Sequence, residues 1–296
     1  MGLKIQNVSK HFGEKIAVDN ISFEMEKPGV FGLLGTNGAG KTTTIRMMLG
    51  ILKKDSGEIT WNGKQVERKN VNFGYLPEER GIYPKTKIYE QLLYFSELKG
   101  MKKQEACKEI DYWMSRLKVE EYKNMHAEKL SKGNQQKVQF ITAILHNPEL
   151  IVLDEPFSGL DPVNTELLKG VILELVEKGK YIIMSSHQMT SIEEFCSDVV
   201  IIDKGKTVLK GNLKQIKDTY PAKKLEISVK QDITSITNEL GMKIEKNIDN
   251  NYEIKIENEE QAHTLMKNLV ERGIQINKFE LKKPSLNDIF IEKVGA

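Results

Sequence analysis

The chain opens on two short alternating patterns, Leu3, Ile5 and Val8, then Ile21, Phe23 and Met25, which predict two strands joined by a turn near Gly13. An antiparallel edge or small subdomain is expected to begin the fold. Residues 30–34 form an apolar run ending in glycines, and Ile45, Met48, Leu49 and Leu52 then repeat at helical spacing behind Lys41. That is the pattern of strand, tight loop and helix. From about residue 82 to 147 the period turns helical. Ile88, Leu92, Phe95 and Leu98 share one face, and Trp113, Met114 and Leu117 follow, predicting an inserted helical lobe. Three near-continuous apolar runs, at 150–153, 181–185 and 199–202, alternate with helical stretches and suit a parallel sheet covered on both faces.

Past residue 214 the pieces become short and amphipathic. Strands are expected at 225–229, 242–246, 252–256 and 274–281, helices at 233–240 and 260–271, and a last helix at 286–294 beyond Pro284. The order βαββαβ suggests a ferredoxin-like split βαβ domain, although a small α+β sandwich of another topology would give the same string. The expected organisation is an α/β domain over 1–214, carrying the helical lobe at 82–147, followed by a small α+β domain over 215–296.

A hydrophobic fraction of 39% over 296 residues suffices for ordinary buried cores in one large and one small domain. Lys and Arg total 44 against 42 Asp and Glu, so no whole-chain field draws in nucleic acid, and no nucleic-acid partner is expected. Cys107 and Cys196 lie far apart without metal-ligand spacing, which disfavours a disulfide framework or zinc site and fits a reducing cytosol. The first residues lack the build of a signal peptide, and no stretch approaches the roughly 20 apolar residues a bilayer crossing needs. Any membrane role is expected to be borrowed from a partner.

The chemistry begins at Gly35-Thr36-Asn37-Gly38-Ala39-Gly40-Lys41-Thr42, which fits the phosphate-loop pattern GxxxxGK[ST] between a predicted strand and helix. The glycines let backbone N–H groups turn inward around phosphates, and the helix beginning near Lys41 adds the positive end of its dipole. Lys41 then reaches the β and γ phosphates, and Thr42 a magnesium ion. A second element, the apolar run before Asp154-Glu155, delivers two carboxylates at the C-terminal end of a strand, where α/β sheets bind ligands. Asp154 reads as the magnesium-holding group, through water, and Glu155 as the group that polarises the water attacking the γ-phosphate. Helix capping does not account for two acids after a wholly apolar strand, whose burial without a cation would be costly. Between these elements Ser131 is placed to cap a helix carrying Phe140, Ile141, Ile144 and Leu145.

Taken in order, the phosphate loop, Leu130-Ser131-Lys132-Gly133, Asp154-Glu155, Ser158-Gly159-Leu160-Asp161 and Ser186-His187 resemble the ABC ATPase family over the first 214 or so residues. The resemblance implies ATP and Mg2+ as cofactors, with the loop from Gly35 through Thr43 on the nucleotide. It also implies two ATPase domains facing head to tail, so that Ser131, Gly133 and Asn134 of one close on the nucleotide held by the other, with Asp161 communicating across the pair. By the same resemblance Phe12 stacks on adenine, the alternative being ordinary core packing, and His187 contacts the γ-phosphate and the attacking water. His187 also directly follows Ser185-Ser186 at the sheet's ligand edge. Lys132 and Asn134 depart from the common form of the serine motif, and Lys132 is expected to point to solvent. Glu78 stands where the family usually places a glutamine that contacts magnesium; a carboxylate still ligates magnesium, so Glu78 joins Thr42 and Asp154 as a metal candidate.

The stretch from Glu78 to Pro84, the Leu-Ser-Lys-Gly motif and the small C-terminal domain together resemble ABC-2 type exporter ATPases, which serve sodium, drug, antibiotic or peptide export. This implies a subunit at the cytoplasmic face of a bacterial membrane, powering outward transport through a separate permease by ATP-driven closure with a second copy or a paralogue. Residues 78–83 are expected to line the permease's docking groove. Two other classes are weaker expectations. Soluble ABC switches acting on ribosomes or nucleic acid usually join two cassettes or carry coiled-coil insertions, and a metabolic kinase would need an acceptor lid in place of the Leu-Ser-x-Gly helix.

Overall fold

The computed structural model describes residues 2–67, 71–79 and 81–295, so Arg80, within the expected docking segment, lies outside the described residues. The chain divides into two compact units, Met1–Gly211 and Asn212–Ala296. In the first, β1 (Leu3–Phe12) and β2 (Lys15–Met25) pair antiparallel across Gly13, as their alternation predicts. Strand β3 (Gly29–Gly35) runs through the glycine loop into α1 (Lys41–Met48). Strands β4 (Ser56–Trp61) and β5 (Lys64–Gln65) complete an antiparallel sheet ordered β2-β1-β4-β5. After β6 (Phe73–Leu76) come three helices of the lobe, α2 (Ile88–Leu98), α3 (Lys103–Arg116) and α4 (Lys132–Ile144).

The unit continues with β7 (Leu150–Asp154), α5 (Pro162–Glu177), β8 (Tyr181–Ser186), α6 (Met189–Glu193), β9 (Asp198–Asp203) and β10 (Lys206–Asn212). The main sheet is ordered β10-β9-β3-β8-β7-β6, and β9, β3, β8, β7 and β6 run parallel. The three apolar runs are its central members, buried on both faces as expected. One core cluster joins Ile5 and Ile21 of the antiparallel sheet, Ile45 and Met48 of α1, and Leu33, Val152 and Val200 of the main sheet. The helix thus lies between two sheets, which fixes its N-terminus beside the glycine loop. Leu52, expected on this helix, falls beyond it, because the chain leaves α1 at Leu49–Gly50, and Gly50 has φ +63°.

Strand β6 closes the sheet edge at a tight approach. A Cβ on Gly74 would meet the Ala143 carbonyl oxygen at 2.0 Å, so only glycine lets β6 lie against α4. Beside it, His146 Nε2 is 3.0 Å from the Phe73 carbonyl and donates to it, while Nδ1 is buried without a partner. Burial, then the nearby Lys99 cation, pushes this imidazole down from 6.5 to about 4. A depressed histidine contributes stability above its unfolded value and loses it as pH falls toward the folded one. We expect about 2 kcal/mol, reduced for residual solvent contact, to be lost between pH 6.5 and about 4, and His146→Gln to flatten that part of a urea-midpoint profile. An unchanged profile would mean that the imidazole is already solvated.

The second unit contains α7 (Leu213–Asp218), β11 (Lys224–Val229), α8 (Thr234–Glu239), β12 (Lys243–Ile248), β13 (Asn251–Lys255), α9 (Glu259–Glu271), β14 (Ile276–Lys282) and α10 (Leu286–Val294). Its sheet is ordered β12-β13-β11-β14 with every pairing antiparallel. That is the split βαβ order, and it decides between the topologies the element string left open. Leu225, Ile227, Tyr252 and Ile254 pack with Leu265 and Leu269 of α9 in a separate core. Ser285 caps α10 in a reciprocal box with Asp288. Among the described residues no helix is long and apolar enough to cross a membrane.

Candidate active site

The C-terminal ends of β3, β7 and β8 converge beside the first turn of α1. The backbone of the glycine loop is bent where it must be: Gly38 has φ +78° and Gly40 φ +108°. A Cβ on Gly40 would stand 2.5 Å from the Ala17 carbonyl oxygen, so both conformation and space demand glycine. Lys41 heads α1 with 7% of its surface exposed, and its ammonium donates to the Gly35 carbonyl at 2.9 Å and the Thr36 carbonyl at 3.2 Å. Burial lowers its pKa, while Glu155, Asp154 and Glu78 oppose the shift.

Thr42 donates through Oγ1 to Asp154 Oδ2 at 3.1 Å, and Ser185 Oγ donates to Asp154 Oδ1. Burial raises the Asp154 pKa in spite of these two hydrogen bonds. A dry carboxylate beside a threonine hydroxyl is a hard-oxygen donor set that gains from a divalent cation. Glu78, exposed, and Thr42 both line one cavity, whose lining does not include Asp154. Among the described residues no set of three or more His, Cys, Asp or Glu side chains gathers around one point. A magnesium ion here would draw part of its shell from Thr42 and from phosphate oxygens, and the residues fit that role.

Glu155 follows in the left-handed region at φ +50°, which for a non-glycine residue is a strained conformation worth attention at a reactive site. The turn is held by Glu155 N–H donating to the Ser185 carbonyl and Ser158 N–H to the Glu155 carbonyl, each at 3.1 Å. The carboxylate is held too: Ser186 Oγ donates to Oε2 at 3.2 Å, and the His187 backbone N–H donates to Oε1 at 2.8 Å. His187 Nδ1 lies 2.7 Å from the same Oε1. The sequence pointed to Ser185 only as a strand end and to Ser186 also as part of the Ser186-His187 motif, whereas their hydroxyls orient both acids.

A cavity of about 600 Å³ is lined by the glycine loop through Thr43, by Glu78, and by Phe12, Lys15, Ile16, Ala17, Lys204 and Gly205. Phe12 is 50% exposed at its wall, which removes the core-packing alternative for this ring. Gly35, Thr36, Asp154, Glu155 and His187 are not in its lining, and neither are Ser131, Gly133, Asn134 and Asp161. Ser131 caps α4 as predicted, accepting from Asn134 N–H at 3.3 Å, and Lys132 is exposed. A Cβ on Gly133 would meet Leu160 at 3.4 Å, so this helix start packs against the loop that ends in Asp161. Asp161 itself caps α5 through Asn164 N–H at 2.9 Å. Lys15, Ile16, Ala17, Lys204 and Gly205 were missed by motif reading; the Lys-Gly turn signal marks a hairpin but not what the hairpin borders.

A parallel sheet with a glycine phosphate loop, a buried Asp-Glu strand end and an inserted helical lobe defines a P-loop nucleotide hydrolase of cassette type. Residues 18–158 match the family model described as ABC transporter, and residues 211–294 that of the C-terminal domain of ATP-binding protein DrrA1-3-like. The chain is 48% identical over 295 residues to the ABC transporter ATP-binding protein YhaQ of Bacillus subtilis (strain 168), covering 99% of each. It is 34% identical to the linearmycin resistance ATP-binding protein LnrL of the same organism, over 71% of this chain and 68% of that one. A solved ATP-binding subunit of an ABC transporter superposes with TM-score 0.68 at 28% identity, covering 74% of this chain and 93% of that one. The chain belongs to the ABC transporter ATP-binding proteins, a family of ATPases that dimerise and work with transmembrane permeases.

Proposed function

We propose that this chain is the ATP-hydrolysing subunit of an ABC-2 type exporter, driving outward movement of an ion, drug, antibiotic or peptide through a separate permease at the cytoplasmic face of the membrane. The observation that carries the hydrolytic reading is Glu155: a buried carboxylate in a strained turn, fixed by Ser186 and His187 beside Asp154 and the glycine loop. In this reading the loop N–H groups and Lys41 bind the phosphates, and Phe12 stacks on the base. Glu155 takes the proton of the attacking water, and His187 orients that carboxylate and touches the γ-phosphate. Thr42, Asp154 and Glu78 would hold magnesium, which when bound neutralises charge on the phosphates.

A role for Ser131, Gly133 and Asn134 on the nucleotide of a second subunit is supported by their place at the capped N-terminus of α4. The free N–H groups at the start of α4 suit a γ-phosphate, and Asp161, one residue beyond the Leu160 that packs on Gly133, would carry the closure across the pair. Docking on a permease is supported by the aromatic surface that follows Glu78. Tyr83 is 51% exposed and stacks on Phe95 at 5.8 Å, beside Tyr94, with Gln91 shaping the loop by accepting from Tyr83 N–H at 3.1 Å. Outward direction is supported by the DrrA-like C-terminal domain and by LnrL, whose name ties it to resistance. Affinity purification from membranes in mild detergent, read by mass spectrometry, is expected to bring down a polytopic permease. Ribosomal proteins in its place would overturn the transport reading.

A further inference from the structure

Helix α4 carries two buried glutamines, Gln136 and Gln139, which share a face because they stand three positions apart. Each donates its amide to the backbone leaving a strand of the main sheet. Gln136 Nε2 donates to the Pro156 carbonyl at 3.2 Å, just past Asp154-Glu155 at the end of β7. Gln139 Nε2 donates to two carbonyls past the end of β6, that of Pro77 at 3.3 Å and that of Glu79 at 3.1 Å. An amide nitrogen has two hydrogens, and here they go to the residues on either side of Glu78. The amide lies against the loop, since a Cβ on Gly81 would stand 3.8 Å from the same Nε2.

The far side of this amide is a burden to the fold. Gln139 is 4% exposed, and its Oε1 is buried with no hydrogen-bond partner among the described residues. A buried acceptor left unsatisfied is destabilising, and an apolar side chain of the same size would not carry that penalty. What the amide provides in return is a fixed backbone at Glu78. The Glu78 side chain is exposed, lines the nucleotide cavity with Thr42, and supports the charge of Lys41 against burial. A carboxylate on a loop binds its partner more tightly when the loop is ordered beforehand. Here the ordering comes from a helix that also grips Pro156 and begins at Ser131, so the Glu78 loop is tied to a rigid element.

We propose that Gln139 is the positioning residue for Glu78, fixing the loop so that this carboxylate stands at the cavity wall for the magnesium that accompanies the nucleotide. The inference rests on the ATPase reading above and names what holds one of its metal candidates in place. The test compares wild type, Gln139→Met, Glu78→Ala and the double variant as full-length proteins. Methionine keeps the length and volume of glutamine and removes both N–H groups. The fluorescence of bound ribose-labelled ATP is titrated with Mg2+ from a metal-free start, and phosphate release is followed over the same range. Gln139→Met is expected to raise the half-saturating Mg2+ about tenfold in both readings, the lower end for a residue that orients a metal ligand. Metal-free nucleotide affinity is expected to stay within about twofold of wild type, and the melting temperature within a few degrees. In the Glu78→Ala background the same substitution is expected to add nothing, because both act through one carboxylate. An unmoved Mg2+ response, or an equal shift with Glu78 already gone, overturns the proposal. So does a metal-free affinity that falls along with the Mg2+ response, because the damage would then be to the cavity as a whole. Should Gln139→Met fail to fold, Gln139→Leu gives the same comparison. A wild type that binds no nucleotide at any Mg2+ concentration would instead bring down the ATPase reading itself.

Discussion

Glu155→Gln is expected to bind nucleotide as the wild type does and to lower hydrolysis about 10²–10⁴-fold, the usual contribution of a positioned general base. The argument is geometric. Glutamine has the shape of glutamate, and its amide oxygen keeps the place of Oε1, where the His187 N–H donates at 2.8 Å. The left-handed turn at φ +50° is a property of the backbone bonds to Ser185 and Ser158, which the substitution does not touch. What is lost is an oxygen able to accept a proton from water. Phosphate release and fluorescent nucleotide binding, measured on the same preparation, separate the two effects. With the chemistry stopped, ATP should also hold two copies together, visible as a dimer by size-exclusion chromatography. Wild-type turnover would remove Glu155 from the general-base role.

The fold was legible wherever a hydrophobic period ran long enough to be read. Residues 30–34, 150–153 and 199–202 are apolar without interruption because their strands are covered on both faces, and α10 begins and ends at the residues its pattern and the preceding proline indicate. Strands β4, β6 and β10 carried no such signal. In β4 only Ile59 and Trp61 are buried, β6 has four residues with a glycine at its tight contact, and β10 is largely solvent-facing. Backbone pairing made these strands, and pairing leaves little mark on one-dimensional patterning. The site divides in the same way. Lys41, Thr42, Asp154 and Glu155 stand out because phosphate and metal chemistry requires those residue types at that spacing. The serine hydroxyls that orient the acids, and the two lysines Lys15 and Lys204 of the cavity wall, do not, because serine and lysine at a strand end or turn are ordinary surface residues. Only the folded arrangement brings Ser185 to Asp154 and Lys204 to the cavity wall.

Lys41→Ala is expected to weaken nucleotide affinity by about 100-fold, or ~3 kcal/mol, with little loss of stability in the nucleotide-free chain. The two halves of this prediction have one cause. The ammonium is taken out of water and satisfied by two loop carbonyls, and its lowered pKa shows that burial outweighs the attraction of the three carboxylates around it. Holding a desolvated charge in that state costs the empty protein, so its removal roughly offsets the two lost hydrogen bonds. Once phosphate oxygens arrive, the same charge makes short charge-assisted bonds in a site already cleared of solvent, and that gain exists only with nucleotide present. A thermal-shift titration reads both at once. The free variant should melt within a few degrees of wild type, and the rise in Tm with saturating ATP should largely vanish, since ligand stabilisation follows RT ln(1 + [L]/Kd). A variant that keeps the full ATP-induced rise would show that the loop N–H groups and the α1 dipole hold the phosphates without the lysine, and the cavity's phosphate end would have to be reassigned to them.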